Sequence, residues 1–292
     1  VGDTSKRRVV FGRRDSGEEK EATVGLAQFT AAAVPGKRKL VKALDLSGTP
    51  AAWLLIGQGR AGKTTFARWV GGRAEQAGRE LSLAALDPTN RSLALFLNGV
   101  QQPDTPDPTK TALWLRSALT ELAEARCAGI FDMGGGDTSL LKALGLFPRL
   151  LDEAEAGGIA PVAAYFVGPR IDDLSALVTF EEKGFQPRAT VIVLNDGLVD
   201  LSEEPEDAFG AVKRHSSVKA AVARGAVVIH MPRLLTADLA REIERKRLSF
   251  ANARDGIAPE GVSPIRGTDR YLVGRWLEQM EEAFAPIATW LP

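Results

Sequence analysis

The segment WLLIGQGRAGKTTFARWV, residues 53–70, is where residue type and spacing first suggest chemistry. Gly57, Gln58, Gly59, Arg60, Ala61, Gly62, Lys63 and Thr64 satisfy the pattern G-x-x-x-x-G-K-[ST]. Each position has a physical task. The glycines let successive backbone N–H groups turn inward around phosphate oxygens. Lys63 brings a point charge to the terminal phosphates, and the Thr64 hydroxyl suits a hard cation, Mg2+. A helix beginning here adds the positive end of its dipole. The candidate cradle is therefore residues 57–65, Thr65 included.

Other segments supply candidate partners for such a cradle. AGIFDMG (128–134) reads as a buried strand that delivers Asp132 at its end, where a carboxylate can hold Mg2+ through water. LSLAALDPTN (81–90) delivers Asp87, either as a group that orients an attacking water or as a turn-starting acid before Pro88. A common GTPase would carry N-K-x-D after a late strand. Here that strand ends Leu194-Asn195-Asp196-Gly197-Leu198, with Asn195 present and the lysine and second aspartate missing, so ATP is favoured over GTP.

The elements that must position these groups follow from periodicity. Short runs apolar on both faces lie at 51–57, 81–87, 128–134, 161–168, 188–196 and 225–232, as strands of a covered parallel sheet would. Helical patterns separate and follow them at 63–78, 111–127, 138–155, 170–183, 207–223 and 233–247. This alternation predicts an α/β fold, a doubly wound, mostly parallel sheet flanked by helices. QQPDTPDPTK (101–110) reads as a surface loop.

The cradle and its context resemble the ParA/MinD ATPases, a P-loop NTPase family with a deviant Walker A of the form K-G-G-x-G-K-[ST]. The match holds at Gly59, Gly62, Lys63 and Thr64. It departs at Gln58, where the signature lysine would sit, and at Arg60, where the second glycine would sit. LAALDPTNRSLALF is similar to the family's switch segment, with Ala85 in place of its first aspartate; AGIFDMGGGDTSLL is similar to its Walker B strand, ending in Asp132. VIVLND and VVIHMPRL are similar to the strand ends that border adenine, through Asn195 and through Met231-Pro232. Within the family the order and spacing look most like the TraL-type plasmid conjugal-transfer ATPases, over about 51–285.

The resemblance implies an ATPase that binds ATP and ADP with Mg2+ and acts as an ATP-dependent homodimer switch in plasmid transfer or partition, with a protein partner. It implies catalytic roles for Lys63 and Asp87. In the family the signature lysine crosses the dimer to the partner's phosphates. Gln58 lacks that charge, and Arg60 is a candidate substitute because guanidinium pairs with phosphate oxygens in bidentate fashion. Two other readings stand beside this one: a P-loop kinase for a small molecule, with Arg233, Arg241, Arg245 and Arg247 imitating an arginine-rich lid, and a non-hydrolysing ATP-binding adaptor.

Charge is uneven although the net is zero. Residues 1–44 carry ten Lys/Arg and five acids, which reads as a flexible basic N-terminal leader (1–48) ahead of the ATPase domain (49–292). The basic segment 240–256 is either an edge for non-specific DNA contact or a solvated helix face. Residues 271–292 show helical apolar spacing with Glu278, Glu281 and Glu282, the wrong sign for anionic lipid, so packing on the domain is expected. No run is long and apolar enough for a membrane span. The lone Cys127 fits a reducing cytoplasm, and His215 and His230 lack zinc-ligand spacing.

Overall fold

Strand β1 (Ala51–Gly57) shows why the apolar runs read as strands. Ala51, Trp53 and Leu55 enter one core, and Ala52, Leu54 and Ile56 enter another on the opposite face. Successive side chains of a strand point to opposite faces, so a strand covered on both sides must be apolar throughout. In the computed structural model, which describes residues 43–86, 93–134, 138–234 and 236–292, five more strands join it: β2 (Leu81–Ala85), β3 (Ala128–Asp132), β4 (Ala160–Val167), β5 (Ala189–Asn195) and β6 (Val227–Met231). The six form one sheet in the order β2-β3-β1-β4-β5-β6, with every neighbouring pair parallel. The chain winds to one side of β1 for β2 and β3, and to the other for β4, β5 and β6. The crevice where winding reverses lies outside the carboxyl end of β1, where doubly wound sheets bind ligands.

The helices are α1 (Lys63–Gln76), α2 (Pro108–Ala125), α3 (Ser139–Leu146), α4 (Leu150–Ala156), α5 (Ser175–Glu182), α6 (Pro205–Ala208), α7 (Gly210–Arg214), α8 (Ser216–Ala223), α9 (Ala237–Arg245), α10 (Phe250–Asp255) and α11 (Gly267–Phe284). Helices α1, α9, α10 and α11 cover one face of the sheet, and α2 to α5, α7 and α8 cover the other. An aromatic group fixes α1. Phe66 lies 5.2 Å from Trp53, 5.4 Å from Phe166 and 5.2 Å from Phe284, tying the helix to β1, β4 and α11. Tilted ring pairs at such distances add to the burial energy.

Several helical spans differ from expectation, each for a local reason. The single helix expected over 138–155 is two, α3 and α4, because Pro148 lies between them and cannot continue the helical hydrogen-bond ladder. Helix α2 begins inside the expected loop 101–110: Asp107 accepts from the Lys110 N–H at 2.8 Å and Pro108 takes the first turn. The pattern over 207–223 falls across α6, α7 and α8, with breaks at Phe209 and at His215, whose extended backbone and Nδ1, 3.3 Å from the Ser217 N–H, start α8. The helix expected over 233–247 starts only at Ala237, after a Thr236 cap on the Leu239 N–H at 3.1 Å. The first turn of the span 170–183 is a 3₁₀ turn, Ile171–Leu174.

The C-terminal segment packs on the domain. Val273, Trp276, Met280 and Phe284 of α11 are buried, and the Trp53 indole donates to the Trp290 carbonyl at 3.0 Å. Trp290 donates in turn to the Leu44 carbonyl at 2.6 Å, and Leu46 is buried in the same core. Among the described residues no helix is long and apolar enough to cross a membrane.

Candidate nucleotide site

The loop after β1 gathers the predicted cradle at the carboxyl edge of the sheet. Gly62 has φ 103 and ψ 4, and α1 starts directly after it with neither a side-chain cap nor an acid in its first turn. The first N–H groups of a helix have no partner within it. An uncapped, acid-free helix start facing a cleft is a site for an anion. Lys63 is almost fully buried, and its Nζ donates to the carbonyls of Gly57 at 2.9 Å and Gln58 at 3.0 Å. Its ammonium is thereby held against the loop it would serve.

Arg60 is the conformational oddity of the loop. Its φ is 65, a left-handed backbone that glycine adopts freely and other L-residues adopt at a cost of about 1 kcal/mol or more. This is the position of the second glycine in the resembled pattern, so the departure there is strained as well as charged. Arg60→Gly is expected to raise the stability of the nucleotide-free protein by about 1 kcal/mol, read as a shifted urea midpoint. An unchanged or lowered midpoint would show that the side chain compensates its own backbone.

Thr64 and Asp132 meet. Thr64 Oγ1 donates to Asp132 Oδ2 at 3.0 Å, joining the start of α1 to the end of β3. A hydroxyl beside a carboxylate is an all-oxygen donor pair that suits Mg2+, whose bound state would neutralise charge on phosphate oxygens. Beside them lies a cleft of about 580 Å³. It is lined by residues 59–65, by Ala85 and Asp132–Gly134 at the ends of β2 and β3, and by Leu95, Phe96, Glu244 and Arg245. Asp87 lies outside the described residues. Gly57 and Gln58 border a separate apolar pocket of about 320 Å³ next to α3 and α5.

Gln58 is engaged within the chain: its Nε2 donates to the Asp172 carbonyl at 2.9 Å. Asn195, buried at the end of β5, donates through Nδ2 to the Ala61 carbonyl at 2.8 Å and accepts from the Gly197 N–H at 2.9 Å. Its amide thus ties the loop to β5. Met231 also approaches Gly62, and the carbonyl of the next residue, Pro232, accepts from the Trp276 indole at 3.0 Å. The fold therefore brings the ends of β5 and β6 to the loop, on the side away from β2.

Sequence reasoning did not single out Arg68, one helical turn beyond Thr64. Its guanidinium lies 3.6 Å from the centre of the Phe96 ring and 4.5 Å from that of Phe250, and it donates to the Leu248 carbonyl at 3.0 Å. Glu244 approaches it at 3.9 Å. Burial lowers the guanidinium to about 10, with Glu244 opposing the shift, so it stays charged at neutral pH. It joins two lining residues of the cleft, Phe96 and Glu244, to α1. Local periodicity carries no sign of this, because Phe96, Glu244 and Phe250 come from distant parts of the chain.

The architecture is similar to that of an ATP complex of a McdA variant from Cyanothece, with 14% identity over 82% of this chain and 98% of that one, and a TM-score of 0.50. This is the P-loop NTPase fold. Apo McdA from Cyanothece and the cell division protein MinD from Aquifex aeolicus align with TM-scores of 0.49 and 0.46. Their identities are 14% and 10%, each covering 80% of this chain and 99% and 97% of its own. No protein-family model matches the chain, and no curated protein matches it. In the P-loop NTPase fold, the loop between β1 and α1 stands where the motif in the sequence falls.

Proposed function

We propose that the chain is a ParA/MinD-like ATPase that binds ATP with Mg2+ at residues 57–65 and works as a nucleotide-dependent dimer switch. The observation that carries this reading is the convergence on one cleft of an uncapped helix start, the buried Lys63 ammonium and the Thr64–Asp132 pair. Backbone N–H groups bind the phosphates, Lys63 stabilises charge on the terminal groups, and Asp87 orients the attacking water. Phosphoryl transfer to water asks mainly for this positioning and charge stabilisation. The crossing lysine is absent, and Arg60, exposed at the rim of the cleft, takes its place toward a second copy. The setting in plasmid transfer or partition, with a protein partner, rests on the sequence resemblance to the TraL type.

The kinase reading needs several arginines over the phosphates. Of Arg233, Arg241, Arg245 and Arg247, Arg245 alone lines the cleft among the described residues. Arg233 donates to the Asp196 carbonyl at 2.9 Å and Arg241 pairs with Asp238 at 3.4 Å, so the lid is mostly unavailable. Nor does the proposal include DNA contact. Within 240–256, Lys246 pairs with Glu242 at 2.6 Å and Arg254 with Asp255 at 2.7 Å, so part of the charge of this segment is already engaged within the chain.

Light scattering tests the switch. The molar mass is expected to double with Mg2+ and a slowly hydrolysed ATP analogue, and to remain that of a monomer with ADP or without nucleotide. A chain that binds the analogue and stays monomeric would sink the dimer switch and leave the adaptor reading.

A further inference from the structure

We propose that Arg245 of α9 is a phosphate-contacting residue of the same site, supplying within one chain a positive charge on the terminal-phosphate side of the cleft. This rests on the nucleotide-site reading above and adds to it a residue that no part of the loop motif contains. Three observations carry it.

The first is place. Arg245 lines the cleft together with Lys63, Thr64, Thr65 and Asp132. The cleft also takes in Ala85 at the end of β2 and Met133 after β3, whereas Asn195 and Pro232 at the ends of β5 and β6 do not line it. The space that Arg245 borders is therefore on the Thr64–Asp132 side, where a cation and terminal phosphates would lie, away from the strand ends proposed to border the base.

The second is availability. Three basic residues around Arg245 have partners within the chain: Arg241 pairs with Asp238 and Lys246 with Glu242, while Arg68 is held by the Leu248 carbonyl beside Glu244. Arg247, exposed like Arg245, does not line the cleft. Arg245 is exposed and makes no ion pair among the described residues. Its guanidinium is a rigid fork that matches two phosphate oxygens at once.

The third is support. Helix α9 does not hang in solvent. Leu239 and Ile243 are buried in the core beneath it. Glu244, next to Arg245, reaches the buried Arg68 of α1, the helix whose start forms the anion site. The helix that carries Arg245 is thus anchored to the helix whose start forms the anion site. Position 58 adds nothing of this kind, since Gln58 is neutral and spends its amide on Asp172.

The test is equilibrium binding of ATP and of ADP, each with Mg2+, to the full chain and to Arg245→Ala, Arg245→Lys and Arg241→Ala. A lost charge-assisted contact is expected to weaken ATP binding by Arg245→Ala about tenfold or more. ADP affinity should change much less, Arg245→Lys should recover part of the loss, and Arg241→Ala should match the parent. The exposed position of Arg245 makes an unchanged thermal midpoint the expected companion result. Parent-like ATP binding by Arg245→Ala, equal losses for ATP and ADP, or an equal loss in Arg241→Ala would each overturn the assignment while leaving the site itself in place. Absence of ATP binding by the parent chain would remove the nucleotide site and this residue's role together.

Discussion

Lys63→Ala is expected to weaken ATP binding by roughly 30-fold to 1000-fold and to leave the folded protein nearly as stable as before. The two halves of that expectation have separate causes. For binding, Lys63 is the cation at the mouth of α1 that is buried, with only 6% of its surface exposed. A charge already out of water pays little further desolvation when a phosphate arrives, so its attraction is not spent on dehydration. Removing one partner of such a pair costs about 2–4 kcal/mol. For stability, the ammonium donates to the Gly57 and Gln58 carbonyls at 2.9 and 3.0 Å, and these bonds offset the penalty of burying a charge. Losing both the bonds and the penalty should move the unfolding free energy by no more than about 1 kcal/mol. Calorimetric titration with ATP and Mg2+, beside a urea melt, separates the two. If Lys63→Ala binds ATP as the parent does, the cleft is not the phosphate site, whatever the loop sequence suggests.

The same contrast between local and distant causes explains what the sequence could tell. The loop was legible because its chemistry is contiguous: glycines, lysine and threonine within one turn of chain, after an apolar run and before an amphipathic one. The strands were legible because a sheet covered on both faces permits no polar residue in β1 or β4, where every residue from Ala160 to Val167 is buried. Helix boundaries were harder. Pro148 follows an ordinary stop rule, but the amphipathic pattern over 138–155 ran across it and took precedence. Asp107 follows an ordinary start rule, but the Pro- and Asp-rich segment 101–110 reads as a loop throughout. His215 as a helix start had no strong signal, since histidine is not among the preferred capping residues. The cleft walls were not legible at all. Arg245 appeared as one charge in a basic stretch and as one of four arginines of the kinase reading, with nothing in the sequence to set it apart from the other three. Its placement beside Thr64 depends on how α9 crosses α1, which rests on the buried Ile243 and on Arg68 between two aromatic rings. Asn195 shows the intermediate case. Its place at a strand end by the loop follows from strand order, while its bond to the Ala61 carbonyl depends on the particular turn at Gly62.

That turn sets up the second large expectation. Gly62→Ala should destabilise the protein by about 3–5 kcal/mol, whereas Gly59→Ala, three residues earlier in the same loop, should cost no more than about 1 kcal/mol. Gly62 has φ 103, a conformation that costs an L side chain about 1–3 kcal/mol by itself. A Cβ there would lie 2.5 Å from Asn195 Nδ2 and 2.7 Å from Met231 Cε. The methionine end can swing aside. The asparagine cannot do so without giving up its bonds to the Ala61 carbonyl and the Gly197 N–H, the first buried and the second partly so, and an unmade buried hydrogen bond costs about 1–3 kcal/mol. A Cβ on Gly59 meets nothing within 4 Å. Urea melts of the two variants give the comparison directly. Similar stabilities would mean that the loop relaxes around either methyl group, and that its shape is not held by the β5 and β6 strand ends. A large gap would make Gly62 the point where those strand ends fix the entry into α1. In that case Gly62→Ala should also lose ATP affinity although it removes no group that touches phosphate, because the N–H groups of the first helical turn would no longer converge.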